Sequence, residues 1–464
     1  MSDEGLQQAR DKMAAADVDP VAIEVFSHYY RLVESGESGM VPEDTIEPLD
    51  SDALADIDVP DQVAREAIGR TVVIKLNGGL GTSMGLDRAK TLLGVRDGLT
   101  FLDVIARQVL AVRRRHRVRL PLLFMNSFRT REDTLEVLGP YLDGDDGLAD
   151  PVLPLDFLQN KEPKLRADDL TPVEWEADPN LEWCPPGHGD LYTALRGRGL
   201  LDAMVDEGFT QVFVSNSDNL GAVPDPRVAG WFASSGAPFA IEAVRRTPSD
   251  RKGGHFARRK SDGRIVLRET AQTLPEDAEA LADLDRHRFC STNNLWFDLQ
   301  AMKAELDRRK GILGLAMIKN TKTVDPADPD SPEVIQIETA MGAAIEVFEG
   351  STTIEVGRDR FVPTKTTNDL LVLRSDCYRL DDDAIMHQVA DAVPFVDLDK
   401  PYKLVAGFER RFENGVPSLR EATSLRVQGD WTFGRDVVVV GDAVVGEPGS
   451  QGRIEDGARI GEQG

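Results

Sequence analysis

Residues 71–90 read TVVIKLNGGLGTSMGLDRAK, an apolar β-type run that opens straight into glycines at 78, 79, 81 and 85. A chain built this way must place a sharp, unencumbered backbone turn at the carboxyl end of a strand. Glycine lets several N–H groups approach one anion with no side chain in between, and Lys90 adds a point charge just beyond. Taken alone, the segment reads equally as a glycine-rich turn between a strand and a helix, because such patterns recur by chance. The remainder of the chain has to decide between the two.

From Arg70 to about Ser375, β-rich runs alternate with helix-like stretches. Val72–Ile74, Leu120–Phe124, Gln211–Val214 and Phe239–Val244 are the strands expected; Phe101–Arg113 and Leu200–Val205 are among the helices. This alternation predicts an α/β fold, a doubly wound, mixed but mostly parallel sheet of Rossmann-like type, with ligands at the carboxyl ends of its strands. The glycine loop falls at one such end and Ser215–Asn219 at another. Arg113–Arg117 is a run of cations at an expected helix end, where it complements the helix dipole.

Before this region, residues 1–67 show helical spacing around Val21–Leu32, broken by Gly36, Gly39 and Pro42, and predict a small helical segment. Beyond it, short β-branched pieces are punctuated by Gly429, Gly434, Gly441 and Gly446, a spacing that suggests turns of a β-helix. The expected division is a helical segment over 1–67, a catalytic domain over 68–380 and a β-helix domain over 381–464. A length of 464 residues exceeds what one core usually supports, which agrees with such a partition.

Charge narrows the partners. A net charge of −26 argues against nucleic acid, which requires a basic stripe. No apolar run approaches the roughly 18 residues that suggest a membrane helix, and Met1–Leu6 lacks the basic start and apolar stretch of a secretory leader, so a cytoplasmic protein is expected. Cys184, Cys290 and Cys377 are too widely spaced for a C-x-x-C zinc or redox pair. Any phosphate-bearing ligand must be held against the protein's own negative field, which gives weight to the lysines near the glycine loop.

Further blocks follow in order: FLQN at 157–160, PPGHGD at 185–190, SNSDNLG at 215–221, STNNLW at 291–296 and FVPTKTTNDLL at 361–371. With LNGGLGTSMG at 76–85 they span about two thirds of the chain, and this ordered set resembles the eukaryotic-type UTP–glucose-1-phosphate uridylyltransferases. The resemblance implies transfer of uridylyl from UTP to glucose 1-phosphate, with Mg²⁺ as cofactor and the small molecules UTP and glucose 1-phosphate as partners. In some members of the family the carboxy-terminal domain supports oligomerisation, so a homo-oligomer through that domain is a further expectation. The same motifs leave open a UDP-sugar or UDP-N-acetylhexosamine pyrophosphorylase of broader specificity, and a nucleotide sensor that has kept only the fold.

The implied chemistry fits the residue types. The attacking group is a phosphate monoester with a second pKa near about 6, already largely dianionic at neutral pH. No general base is then required. The task is to align two polyanions and spread accumulating charge. By resemblance, Leu76, Asn77, Gly78 and Gly79 present backbone to the nucleotide, and Gln159 and Gly187 read the uracil edge. Lys90 and Lys365 are the catalytic lysines, Asp218 is the Mg²⁺ ligand, and His188 and Asn216 contact the sugar phosphate.

Gly254, Glu269 and Asn293 complete the sugar-side wall. Each has a plain structural alternative: Asp218 as a turn aspartate, Lys252–Gly254 as a hairpin turn, Glu269 as a surface strand residue, Lys365 as a surface lysine. Ser83–Met84–Gly85, where relatives acting on N-acetylhexosamines tend to carry Arg-Leu-Gly, favours glucose. Leu86–Lys90 lacks the first lysine and the proline common in the family, and Arg88 is the expected partial substitute for that charge.

Overall fold

The structure, a computed structural model, describes residues 2–37, 39–144, 147–251 and 253–461. Its centre is an eight-stranded sheet. In chain order the strands are β1 (Asp52–Ala53), β2 (Thr71–Asn77), β3 (Leu122–Asn126), β4 (Asp156–Leu158), β5 (Gln211–Asn216), β6 (Phe239–Arg245), β7 (Phe289–Asp298) and β8 (Thr352–Glu355). In space they lie β1-β8-β6-β7-β5-β2-β3-β4. Only β7 runs antiparallel to its neighbours β5 and β6; the other pairs are parallel.

Strand alternation feeds two cores, one on each face. Val73, Phe124, Phe213 and Trp296 point into one, against the helices Phe101–His116, Pro226–Ser235 and Thr367–Arg374. Val72, Ile74, Leu123, Val212, Val214, Leu295 and Phe297 point into the other, against Asp190–Gly197, Leu200–Asp206 and Leu299–Arg308. Burial on both faces is why these strands read as continuous apolar runs. Thr100 and Asp103 form a reciprocal cap on Phe101–His116 and fix where it starts.

Several expectations change. The glycine loop does not enter a helix; two short 3₁₀ turns and the hairpin Gly94–Arg96 with Leu99–Thr100 intervene. Gly81 and Gly85 take left-handed φ of 61° and 73°, which no regular helix accommodates, and Gly94 follows closely on the second 3₁₀ turn.

The 1–67 segment is helical over Ser2–Ala15, Pro20–Glu34 and Asp61–Gly69, but Ile46–Pro48 and β1 join sheets of the central domain. Strands of two or three residues are too short to produce a period. The expected boundary at 381 is crossed by the hairpin Tyr378–Leu380 with Met386–Gln388. Strands Phe395–Leu398, Ser418–Val427, Val438–Val445 and Arg459–Gly461 then form a parallel sheet, beside a parallel pair Asp430–Phe433 and Gln451–Ile454. Leu419, Leu425 and Val439 of this region share one apolar core with the first face of the central sheet.

Candidate active site

Parallel β5, β2, β3 and β4 deliver four loops to one edge. Lys90, after the glycine loop of β2, meets Asp218, after β5: Nζ donates to Oδ2 at 2.7 Å, with the two side chains 13% and 24% exposed. The pair is therefore reachable from solvent. The backbone of Thr364 donates to the carbonyl of Asp218 at 3.0 Å, and Asn219 bridges to Pro363, which carries Lys365 to the same place. Asn219 also accepts from Val362 N at 2.8 Å.

Two of the sugar-side candidates, His188 and Glu269, lie within the field of Lys365. Burial, reinforced by the Lys365 charge, pushes His188 down to about 4. Its Nδ1 accepts from Met341 N at 2.9 Å, so the neutral ring carries its proton on Nε2, as a donor. Glu269 is raised by burial, with Lys365 opposing that rise. It caps a short 3₁₀ turn rather than lying on a surface strand. A Cβ built on Gly254 would stand 2.7 Å from Glu269 Oε2, so only glycine admits this approach. Asn293 takes a left-handed φ of 58° on β7, close to a register shift against β6, and its N donates to Ser291 Oγ at 3.0 Å. Lys252 lies outside the described residues.

On the other side, a Cβ on Gly78 would stand 2.7 Å from Gln159 Oε1, while one on Gly79 would project into open space. Gly187, at φ 78°, packs against Thr339, whose N donates to Pro186 O at 2.9 Å. The Asn77 side chain is committed elsewhere, donating to Asn126 Oδ1 and Thr134 Oγ1 and accepting from Thr91 Oγ1, so only its backbone can serve a nucleotide. Leu76 O accepts from Ser217 N, which joins the ends of β2 and β5 next to Asn216. Arg88 does not replace the missing charge near Lys90. It pairs with Asp133 at 2.7 Å on an exposed flank, because Asp133 sits in the first turn of the adjacent helix Arg131–Leu138.

Supporting residues that sequence reasoning passed over lie directly beneath. Lys75 is buried and donates to Ser215 Oγ and Ala222 O, both at 2.7 Å; burial first, and the Arg360 charge second, lower it to about 7. Glu242 accepts both arms of Arg360, at 2.6 and 2.7 Å, and is also bonded by Asn294 and Trp296. Asp190 accepts from the N and Nδ2 of Asn160 at 2.6 and 2.8 Å, tying the Gln159 segment to the Gly187 turn, and burial lifts it to about 7. Lys75, Asp190 and Asn219 all stand inside the motifs quoted above; their pairing across the fold is the missing signal.

Mg²⁺ fits this donor set. Among the described residues no three His, Cys, Asp or Glu side chains cluster as a metal cage, and Mg²⁺ is commonly held by one or two carboxylates, water and substrate phosphates. Asp218 is a carboxylate at this edge, paired with Lys90.

A glycine loop, a lysine–carboxylate pair and a second lysine converging at the carboxyl edge of an α/β sheet are the framework of a nucleotidyltransferase. The sequence profile of the UTP–glucose-1-phosphate uridylyltransferases matches residues 23–440. The barley (Hordeum vulgare) enzyme of that name is 35% identical over 424 residues, covering 90% of this chain and 85% of its own. The probable Schizosaccharomyces pombe enzyme is 33% identical over 428 residues, covering 91% and 82%.

Among solved structures, a Leishmania major UDP-glucose pyrophosphorylase mutant in complex with UDP-glucose superposes with a TM-score of 0.91, at 41% identity over 98% of each chain. A Trypanosoma brucei UDP-glucose phosphorylase gives 0.88 at 40% identity, over 98% of this chain and 99% of the other. The chain belongs to the UTP–glucose-1-phosphate uridylyltransferase family.

Proposed function

We propose that this chain transfers the uridylyl group of UTP to glucose 1-phosphate, releasing pyrophosphate. A phosphate oxygen of the sugar phosphate attacks the α-phosphorus; the bond from that phosphorus to the bridging oxygen breaks, and its electrons leave with pyrophosphate. No proton must be removed from the nucleophile. The observation that carries the reading is the convergence of Lys90, Asp218 and the Lys365 segment on one sheet edge.

Each residue then has a part. Gly78, Gly79, Gln159 and Gly187 form the nucleotide side. With substrates bound, the Lys90–Asp218 pair opens and Lys90 turns to the phosphates; Asp218 would then hold Mg²⁺, whose charge would offset that of the triphosphate. Neutral His188, with Nε2–H as donor, and Asn216 position the sugar phosphate. Gly254, Glu269 and Asn293 pair the sugar hydroxyls, and Lys365 neutralises charge where the new bond forms.

Supported by its parallel pairing, we read the carboxy-terminal region as a short β-helix. Exposed Phe395 and Val444 on it support self-association, and light scattering of the full chain measures that. No helix among the described residues is long and apolar enough to cross a membrane, and a cytoplasmic site of action agrees with the reading. The decisive experiment is pyrophosphate release from UTP and Mg²⁺ with a panel of sugar 1-phosphates. Glucose 1-phosphate is expected to give the highest kcat/KM, because a polar site rejects a misplaced hydroxyl by leaving its partner unpaired. Equal turnover of galactose or N-acetylglucosamine 1-phosphate replaces this reading with a broader UDP-sugar pyrophosphorylase.

A further inference from the structure

Phe128 is 60% exposed, although an apolar ring gains by leaving water. Its place is specific. Asn77, Asn126 and Leu158 are aligned across β2, β3 and β4, so the residues that follow them, Gly78, Ser127–Phe128 and Gln159, emerge side by side at the ligand edge. Gln159 N donates to Asn126 O at 2.8 Å. The turn that presents Phe128 is fixed from within: Ser127 N donates to the Oγ1 of buried Thr130 at 3.0 Å, and Thr130 N and Arg131 N both donate back to Ser127 O at 3.2 Å.

One cation links this ring to the base side. Lys161, two residues after Gln159, holds its ammonium 5.5 Å from the Phe128 ring centre and 4.5 Å from that of Trp183. Trp183 pairs with Pro163 and leads into the Pro185–Gly187 turn. The segments carrying Gln159 and Gly187 thus meet at Lys161, and Phe128 stands against the same ammonium on a rigid turn.

We propose that Phe128 is a further nucleotide-binding residue, a stacking platform for the uracil ring, with Lys161 over its opposite face. A fixed aromatic face beside residues that hydrogen-bond a base edge supplies what those bonds cannot, a surface for the flat of the ring. The proposal rests on the reading of Gln159 and Gly187 as the base-side residues.

Calorimetric titration of the full chain with UTP and with UMP tests it, on Phe128→Ala, Phe128→Leu and Phe128→Tyr, with Gln159→Ala as the control for the underlying reading. Base stacking of this kind accounts for about tenfold in affinity. The Ala and Leu variants are expected to weaken both nucleotides by that factor, Tyr to bind like the parent, and the melting temperatures to agree, since the ring is outside the core. Unchanged affinity in Phe128→Ala overturns the proposal. So does parent-like binding by Leu, which keeps apolar bulk without a π face, and so does a loss on UTP alone, which would place the effect on the phosphates. If Gln159→Ala weakens UTP while Phe128→Ala does not, only the platform is lost; if neither does, the base-side reading falls with it.

Discussion

Lys75 and Lys90 stand at the two ends of one segment, and their surroundings differ in kind. Lys75 is sealed under the sheet edge, where it donates to Ser215 Oγ and Ala222 O. Lys90 is open to solvent and holds one carboxylate, Asp218, that a phosphate and a metal could take apart. The same contrast separates Arg360, buried with Glu242, from exposed Lys365, five residues later in the chain. Buried charge that is paired and fully bonded acts as frame, because removing a partner strands an ion away from water. Charge at the edge is exchangeable, and exchange is what catalysis of a polyanion reaction requires.

The largest expected effect lies at the edge. Asp218→Asn should abolish Mg²⁺-dependent turnover and leave the fold intact, because the amide keeps the shape and loses the charge. Parent-like turnover at limiting Mg²⁺ would break the distinction at its strongest point. Lys365→Ala comes next, with kcat lowered by about 10²–10³ and UTP affinity nearly kept, the pattern of a group that acts chiefly in the transition state. Steady-state kinetics beside direct UTP titration reads this, and a loss confined to UTP affinity contradicts it.

Beneath the edge the expected loss is of stability, not of turnover. Arg360→Met leaves Glu242 buried without its cation and should lower unfolding stability by about 3–5 kcal/mol, read from urea midpoints. A midpoint unchanged from the parent would show that this pair is not frame.

The last effect is a pH slope. Lys75 sits near 7 in the folded chain against an ordinary 10.5. Between those values the unfolded state binds more protons than the folded state, so the Lys75 contribution to stability rises with pH across that window and is flat below it. The stability difference between the parent and Lys75→Met should therefore shift in the parent's favour from about pH 7 towards 10. A pH-independent difference would place a charged ammonium in the frame instead.

The sequence shows the edge better than the frame for a physical reason. Glycines 78, 79 and 187, Lys90 and Asp218 stand in short local blocks, where tight turns and phosphate contacts demand particular residue types within a few positions. The frame is assembled from distant pieces. Glu242 on β6 meets Arg360 in the turn that follows β8, and Asp190 at the start of its helix meets Asn160 in the loop after β4, with no local pattern to mark either pair. Arg88 shows the converse: proximity to Lys90 in sequence suggested a shared role, but helix Arg131–Leu138 presents Asp133 to it first.

What the sequence determined by itself is four strands of the central sheet, β2, β3, β5 and β6, and the residue types at the ends of β2 and β5. Continuous apolar runs read as strands of a sheet covered on both faces, and glycine, lysine and aspartate stand at their carboxyl ends, where such sheets bind ligands. Tertiary structure alone decided that Ile46–Pro48 and Asp52–Ala53 complete sheets of the central domain, that β7 runs antiparallel, and that Phe128 is left bare beside Gln159. Strand order and exposure are properties of packing between remote segments; they depend on which surfaces meet, and no window of neighbouring residues contains that information.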